Sequence, residues 1–355
     1  MAKKEVGKDT RPGWKRIGLG ILAVVLFILS VEVMKSGAGG LTPLLRDHLT
    51  VDNAIDSLGF GWLMAYGILS GSPVAAVALA LLSSGGLTSA QTFTMITGSR
   101  LGASFVVLGL GFIYVLRGHE RKTALTTGVL SFLVTVPIQL LTVPVGLTLL
   151  RLEWAGTIKW TWLVGFSTTV NSVTDPLTTL LKSYLPEWIL FVLGVGMISL
   201  SFRWFDQALP DFELKGTGLT QIPRLVYRPT IMFLLGMVAT TLTLSVSISL
   251  GLLVPLSTRG YIRRENLIPY ILGANITTMI DTLVAGILLG DPHAMTIVVA
   301  HMIGAVIVSL PIVILFYRAY ERIISRLQIW ITQRKRNFAI FLGALFFIPI
   351  VLLLT

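Results

Sequence analysis

Apolar residues in this chain come in long runs, with polar residues collected between them. The runs cover 17–33, 59–84, 88–116, 124–150, 188–202, 229–256, 266–289, 294–317 and 338–354. A helix needs about 20 apolar residues to cross the roughly 30 Å hydrocarbon core of a bilayer. The pattern therefore predicts helical spans throughout. Two of the runs, 59–84 and 229–256, are interrupted by Ser, Gly or Pro and do not read as plain spans. The stretch 160–185 is broken by Asn171, Asp175 and Pro176. With its flanks it reads as a linker, 151–187, along the outer surface.

Composition agrees with a membrane setting. Charged residues make up 13% of the chain and mean hydropathy is +0.82, whereas a soluble domain averages about 25% charged residues. Cysteine is absent, which excludes disulfides and thiolate metal sites. The net charge of +11 would suggest nucleic-acid binding in a soluble protein. Here the basic residues sit in short segments between apolar runs, the pattern that orients membrane proteins. Membrane lipid is the expected surrounding and nucleic acid is not an expected partner.

Orientation follows from those basic segments. Lys3, Lys4, Lys8, Arg11, Lys15 and Arg16 keep 1–16 in the cytoplasm. A signal peptide ending at the small residues of 36–40 is the rival reading. Arg117, Arg121 and Lys122 mark cytoplasm, as do 203–228 and a basic loop at 318–337. Parity then decides the rest. The run 17–33 leads outward and 88–116 must end inside, so 59–84 returns to the side it entered from, as a re-entrant hairpin. In the second half 229–256 does the same from the cytoplasmic side, and its exit carries Arg259, Arg263 and Arg264. Residues 17–150 form a first repeat, 188–317 a second one of opposite topology, and 338–355 a final span that leaves the C-terminus outside. The location is a cell membrane, inner or plasma.

The two halves share a pattern at an offset of 175 residues. Ser70 and Ser72 align with Ser245 and Ser247, Gly85 with Gly260, and Gly98 with Gly273. In each copy a glycine follows the second serine by 13 residues, and another follows 13 later. Paired apolar segments broken by Ser and Gly point to a transporter whose site lies where its repeats meet. A hairpin tip at membrane depth frees backbone N–H groups at the start of a half-helix, which favours an anion. Serine hydroxyls add donors or acceptors. The competing explanation is close helix packing, for which small residues are common in membranes. The duplicated frame favours a site made of Ser70, Gly71, Ser72, Ser245, Val246 and Ser247. The fold class expected is an all-α polytopic membrane protein with two inverted repeats, each a re-entrant helical hairpin plus a broken transmembrane helix, with breaks near Gly98 and Gly273.

These residues resemble the sodium/phosphate cotransporter family, the type II kind and its bacterial relatives. That family carries a Gln-Ser-Ser-Ser motif in each re-entrant hairpin and a Gly-(Ala/Ser)-Asn-Ile-Gly-Thr motif in the helix that follows. Gly273-Ala274-Asn275-Ile276-Thr277-Thr278 matches the second motif closely, and Gly98-Ser99-Arg100-Leu101-Gly102-Ala103 more loosely. Ala300-His301 resembles a helix start in bacterial members. The family's glutamines are Leu69 and Leu244 here, and the Asn of the first repeat is Arg100. The resemblance implies phosphate at the serine tips and sodium held by nearby carbonyls and hydroxyls. No other cofactor is expected, and no oligomeric state is predicted.

Charged residues inside apolar runs are the remaining candidates. Arg100 costs roughly 2.5–3.5 kcal/mol at a helix centre on insertion scales. It reads as an oxyanion ligand, as a stand-in for sodium, or as an Arg that reaches water by snorkelling. Asp281 reads as a cation or proton site, as the counter-ion of Arg100, or as a surface residue near Asp291. Asn275, Thr277 and Thr278 are candidate ion ligands. Gln91 and Asn266, equivalent in the repeat, line the chamber or begin the two helices. His301 can titrate near neutral pH or simply pack.

Other classes fare worse. No nucleotide loop or zinc pattern appears, so ATP-driven transport by this chain alone is not expected. A Ser enzyme using Ser70 or Ser245 with His301 lacks a nucleophile elbow and does not explain paired serines. A proton-coupled or uncoupled transporter, or a channel, for another small solute is the alternative.

Overall fold

Leu-, Ile- and Val-rich segments bounded by Asn, Ser, Asp or Pro make long helices. The computed structural model describes residues 13–41, 43, 51–116, 121–152, 161–208, 228–244, 249 and 266–355. Among these, all regular structure is helical. In chain order the helices are α1 (Gly13–Gly37), α2 (Ala54–Ile68), α3 (Gly71–Ser83), α4 (Ser89–Leu116), α5 (Arg121–Arg151), α6 (Thr161–Tyr184) and α7 (Glu187–Ala208). Then follow α8 (Pro229–Thr243), α9 (Leu267–Thr277), α10 (Ile280–Leu289), α11 (Pro292–Ile314), α12 (Tyr317–Gln333) and α13 (Lys335–Leu353). A short 3-10 turn, Ala38–Leu41, extends α1.

Among the described residues, six helical stretches are long and apolar enough to cross a membrane: Trp14–Leu41, Gly128–Arg151, Glu187–Ala208, Leu267–Leu289, Pro292–Ile314 and Lys335–Leu353. Leu267–Leu289 is the most enclosed of the six, and α3, although short, is buried along most of its length. These two elements form the middle of the molecule. A core containing Val74, Leu79, Leu81, Phe93 and Ile96 joins α3 and α4 to α10 and α11 through Met279, Ala285 and Ile297.

Local chemistry explains the boundaries. Asn53 caps α2 by accepting the N–H groups of Ile55 and Asp56, and Asp56 returns a carboxylate to the N–H of Asn53. That is a reciprocal capping box, which satisfies donors a helix start leaves free. Both α2 and α8 end on a leucine with left-handed backbone, Leu69 at φ 58° and Leu244 at φ 51°. They are the only non-glycine residues with positive φ among those described, and they are equivalent at the 175-residue offset. The turn Leu69–Ser70 then leads into α3.

The 175-residue offset also appears in the packing. An added Cβ at Gly98 would strike the carbonyl of Leu58 and the N–H of Trp62. At Gly273 it would strike the carbonyl of Phe233 and the N–H of Met237. Gly61 lies against the carbonyl of Met95, and Gly236 against that of Tyr270. These two close approaches between α2 and α4 thus have counterparts between α8 and α9. Position 102 is Gly, pressed on the carbonyl of Trp62, while Thr277 at the equivalent place donates its hydroxyl to the carbonyl of Met237.

Three expectations change. α4 is continuous over 28 residues, with no break near Gly98. That glycine lets two backbones approach and does not end the helix. The second copy is interrupted, five residues beyond Gly273, at Thr278 and Met279. There the N–H of Met279 bonds the carbonyl of Ile276, a tighter turn than the α-helical one. The expected loop 318–337 is instead mostly the amphipathic helix α12, running almost directly into α13. The expected linker 151–187 contains a full helix, α6. Pro176 lies inside it without ending it.

Candidate functional site

Arg100 stands in the middle of α4, where its side chain is 5% exposed. Its guanidinium is bound by groups from two other helices. Nη1 donates to Ser72 Oγ at 3.4 Å, on the first turn of α3, and to Thr278 Oγ1 at 3.2 Å, in the interruption between α9 and α10. Nη2 donates to Thr282 Oγ1 at 2.7 Å and faces Asp281 Oδ1 at 3.6 Å. Thr282 closes a ring by donating its hydroxyl, at 2.9 Å, and its backbone N–H to the same carboxylate oxygen. Asp281 is therefore the counter-ion of Arg100 and does not reach the surface at Asp291. Asp291 instead caps α11 and accepts the hydroxyl of Ser83.

The architecture makes this pair. α3 and α10 both begin here, one after the turn at Leu69–Ser70 and one after the interruption at Thr278–Met279. Two half-helix starts bring hydroxyls and positive dipole ends toward one arginine. A buried ion pair survives only when its remaining donors and acceptors are satisfied, and three hydroxyls do much of that. Arg100 Nε and Asp281 Oδ2 have no hydrogen-bond partner among the described residues.

The other predicted residues divide. Gly71 packs against the carbonyl of Ser99, which brings the start of α3 onto α4. Ser70 is the N-cap of α3, half-buried, and its side chain makes no capping bond. Asn275, at the position equivalent to Arg100, donates to Thr135 Oγ1 of α5 at 3.0 Å. Thr277 is tied to α8, and Thr278 to Arg100. Gln91 follows the second of its two readings, at the start of α4. Its Oε1 accepts the N–H and hydroxyl of Thr88, and its Nε2 donates to the carbonyl of Val51. It is the third residue of a capping box at the start of α4. Asn266 begins α9, buried, and its Nδ2 has no partner among the described residues. Ser245, Val246 and Ser247 lie outside the described residues.

Sequence reasoning missed Thr282, although a Thr beside an intramembrane Asp is a readable signal. It also missed a buried polar face on α5. Ser131, Thr135, Gln139 and Thr142 recur every three or four residues, all buried, so they lie on one side of the helix. α5 meets α11 at Thr142 and Gly304. One turn from Gly304, His301 stacks on Phe93 at 5.0 Å between ring centroids. Both ring nitrogens of His301, both amide atoms of Gln139, and the hydroxyls of Ser131 and Ser309 have no partner among the described residues. A Gln between Pro137 and Pro144 in an apolar run was the signal for this face. Ser249 joins Thr240 to the hydroxyl of Tyr270.

The side chains of Asn275, Thr277 and Thr278 are each engaged, and a guanidinium already points at Thr278. Comparison of the chain with family models, curated proteins and solved structures finds no match in any of the three.

Proposed function

We propose that this chain is a secondary transporter of a small inorganic anion, phosphate first, working by alternating access between two inverted repeats in a cell membrane. The observation that carries the reading is Arg100, a buried cation ringed by hydroxyls where the starts of α3 and α10 converge. An oxyanion can replace the Asp281 carboxylate on the guanidinium, with Ser70, Ser72, Thr278 and Thr282 as further donors. Arg presents parallel N–H groups to such oxygens and binds them bidentately.

Three further observations support it. α2 and α3, of 15 and 13 residues, rise about 22 and 20 Å at 1.5 Å per residue, short of a roughly 30 Å core. A two-residue turn between such helices suits a re-entrant hairpin. The matched glycine contacts at an offset of 175 residues suit a duplicated unit. The unpartnered polar groups on α5 and α11 suit a wet path, because buried polar atoms without protein partners generally hold water or a ligand.

The resemblance to the sodium/phosphate cotransporter family fits this reading, with a different treatment of the coupling ion. Arg100 carries a fixed positive charge at the place where the family has Asn. A second cation beside it is disfavoured by like charge. That favours, as the second reading, transport coupled to protons or to no ion at all.

The test is uptake of labelled phosphate into proteoliposomes by Ser70→Ala combined with Ser245→Ala, and separately by Arg100→Gln. In each case uptake, measured on protein verified as inserted and folded, should fall below a tenth of the parent rate. Parent-level uptake by either would remove that side chain from the site.

A further inference from the structure

The corner where α11 turns into α12 holds a second feature, remote from Arg100. A cavity of about 570 Å³ opens there against the first turn of α8, with Pro229 and Thr230 on one side. Arg318 and Arg322 line its other side. Ile314, Leu315 and Phe316 form its apolar wall and are 59–71% exposed. Arg322 Nε donates to the carbonyl of Arg318, which fixes this guanidinium beside its neighbour.

α12 itself has three sectors. With about 100° of turn per residue, Arg318, Arg322 and Arg326 fall on one strip of the helix. Ile323, Leu327 and Trp330 fall on the next strip, and all three are exposed. Ile324, Gln328 and Ile331 form the buried strip. A helix with an exposed apolar strip beside a basic one lies in the plane of a membrane interface. A soluble anion would use the two arginines and leave the apolar wall in water. A zwitterionic lipid would use the wall and leave the arginines without net countercharge. An anionic amphiphile satisfies both.

We propose that this corner binds an anionic phospholipid. The phosphodiester is held by Arg318 and Arg322, and the acyl chains lie on Ile314, Leu315 and Phe316. The inference does not depend on the transported substrate.

The experiment is native mass spectrometry of the detergent-purified full chain, titrated with phosphatidylglycerol or phosphatidylethanolamine. Phosphatidylglycerol should be retained at least tenfold better. R318A with R322A should weaken that retention about tenfold or more, as expected for basic groups near an anionic surface. R334A with R336A removes the same charge outside the cavity and should change it less than twofold. Hydrogen exchange of the unmodified protein in nanodiscs gives an independent reading. Residues 314–322 should be protected by phosphatidylglycerol and not by phosphatidylethanolamine. Equal retention of both lipids, equal loss in both double variants, or competition by inorganic phosphate at the lipid's own affinity would each overturn the proposal.

Discussion

At the scale of single residues, Arg100 and Asp281 form a unit. Removing one charge leaves the other buried and unpaired, which costs about 3–5 kcal/mol. Arg100→Gln and Asp281→Asn should each destabilise strongly, and the double variant should lose less than their sum by about 0.5–3 kcal/mol. Unfolding in mixed detergent micelles measures this, and strict additivity would contradict the pairing. Leu69 gives a second prediction. Left-handed backbone costs an L-residue about 1–2 kcal/mol, and Gly loses about 0.5–1 kcal/mol through its extra unfolded freedom. Leu69→Gly should therefore stabilise by up to about 1 kcal/mol, read as a higher melting temperature. A drop would mean that the exposed leucine side chain holds the turn. The candidacy of Arg100 was legible because an arginine in an apolar run needs a partner. Asp281 as that partner followed only from Arg100 and Asn275 being equivalent positions. Thr282 beside Asp281 was a readable polar pair, but its bond to Arg100 depends on the interruption of the helix one turn earlier.

At the scale of elements, the glycine contacts decide most of the packing. Gly98→Ala and Gly273→Ala should each destabilise by about 1–3 kcal/mol or more, since backbone and not a flexible side chain stands in the way. Gly18, with nothing within 4 Å, should tolerate Ala with little change. Comparable losses at all three positions would contradict the close-approach explanation. The same glycines show why a sequence can mislead about breaks. The repeated spacing of Ser and Gly predicted a break near Gly98, yet Gly98 serves a contact inside an unbroken helix. The real interruption sits at Thr278–Met279, where no Gly or Pro signals it. Gln91 was ambiguous for a similar reason, because Thr88-x-x-Gln91 is a capping box hidden among residues that also suit a polar chamber. The helix α12 was legible in its spacing of Ile, Leu and Trp. Its dense arginines drew the reading toward a basic loop.

At the scale of the whole molecule, the account rests on two similar units set in opposite directions. The charge pattern and the 175-residue offset suggest this independently, and the matched contacts of α2–α4 and α8–α9 add a geometric parallel. Because the chain has no cysteine, single cysteines report topology cleanly. A cysteine in place of Asn53 should react from outside with an impermeant maleimide, and one in place of Arg264 only from the cytoplasm. The same sidedness for both would contradict inverted repeats. The measurement closest to the central claim is uptake of labelled phosphate into proteoliposomes of the unaltered protein under a sodium gradient, a proton gradient or neither. The account predicts saturable uptake in at least one condition, with no requirement for sodium given Arg100. The absence of uptake in all three, from protein shown to be folded, would contradict anion transport.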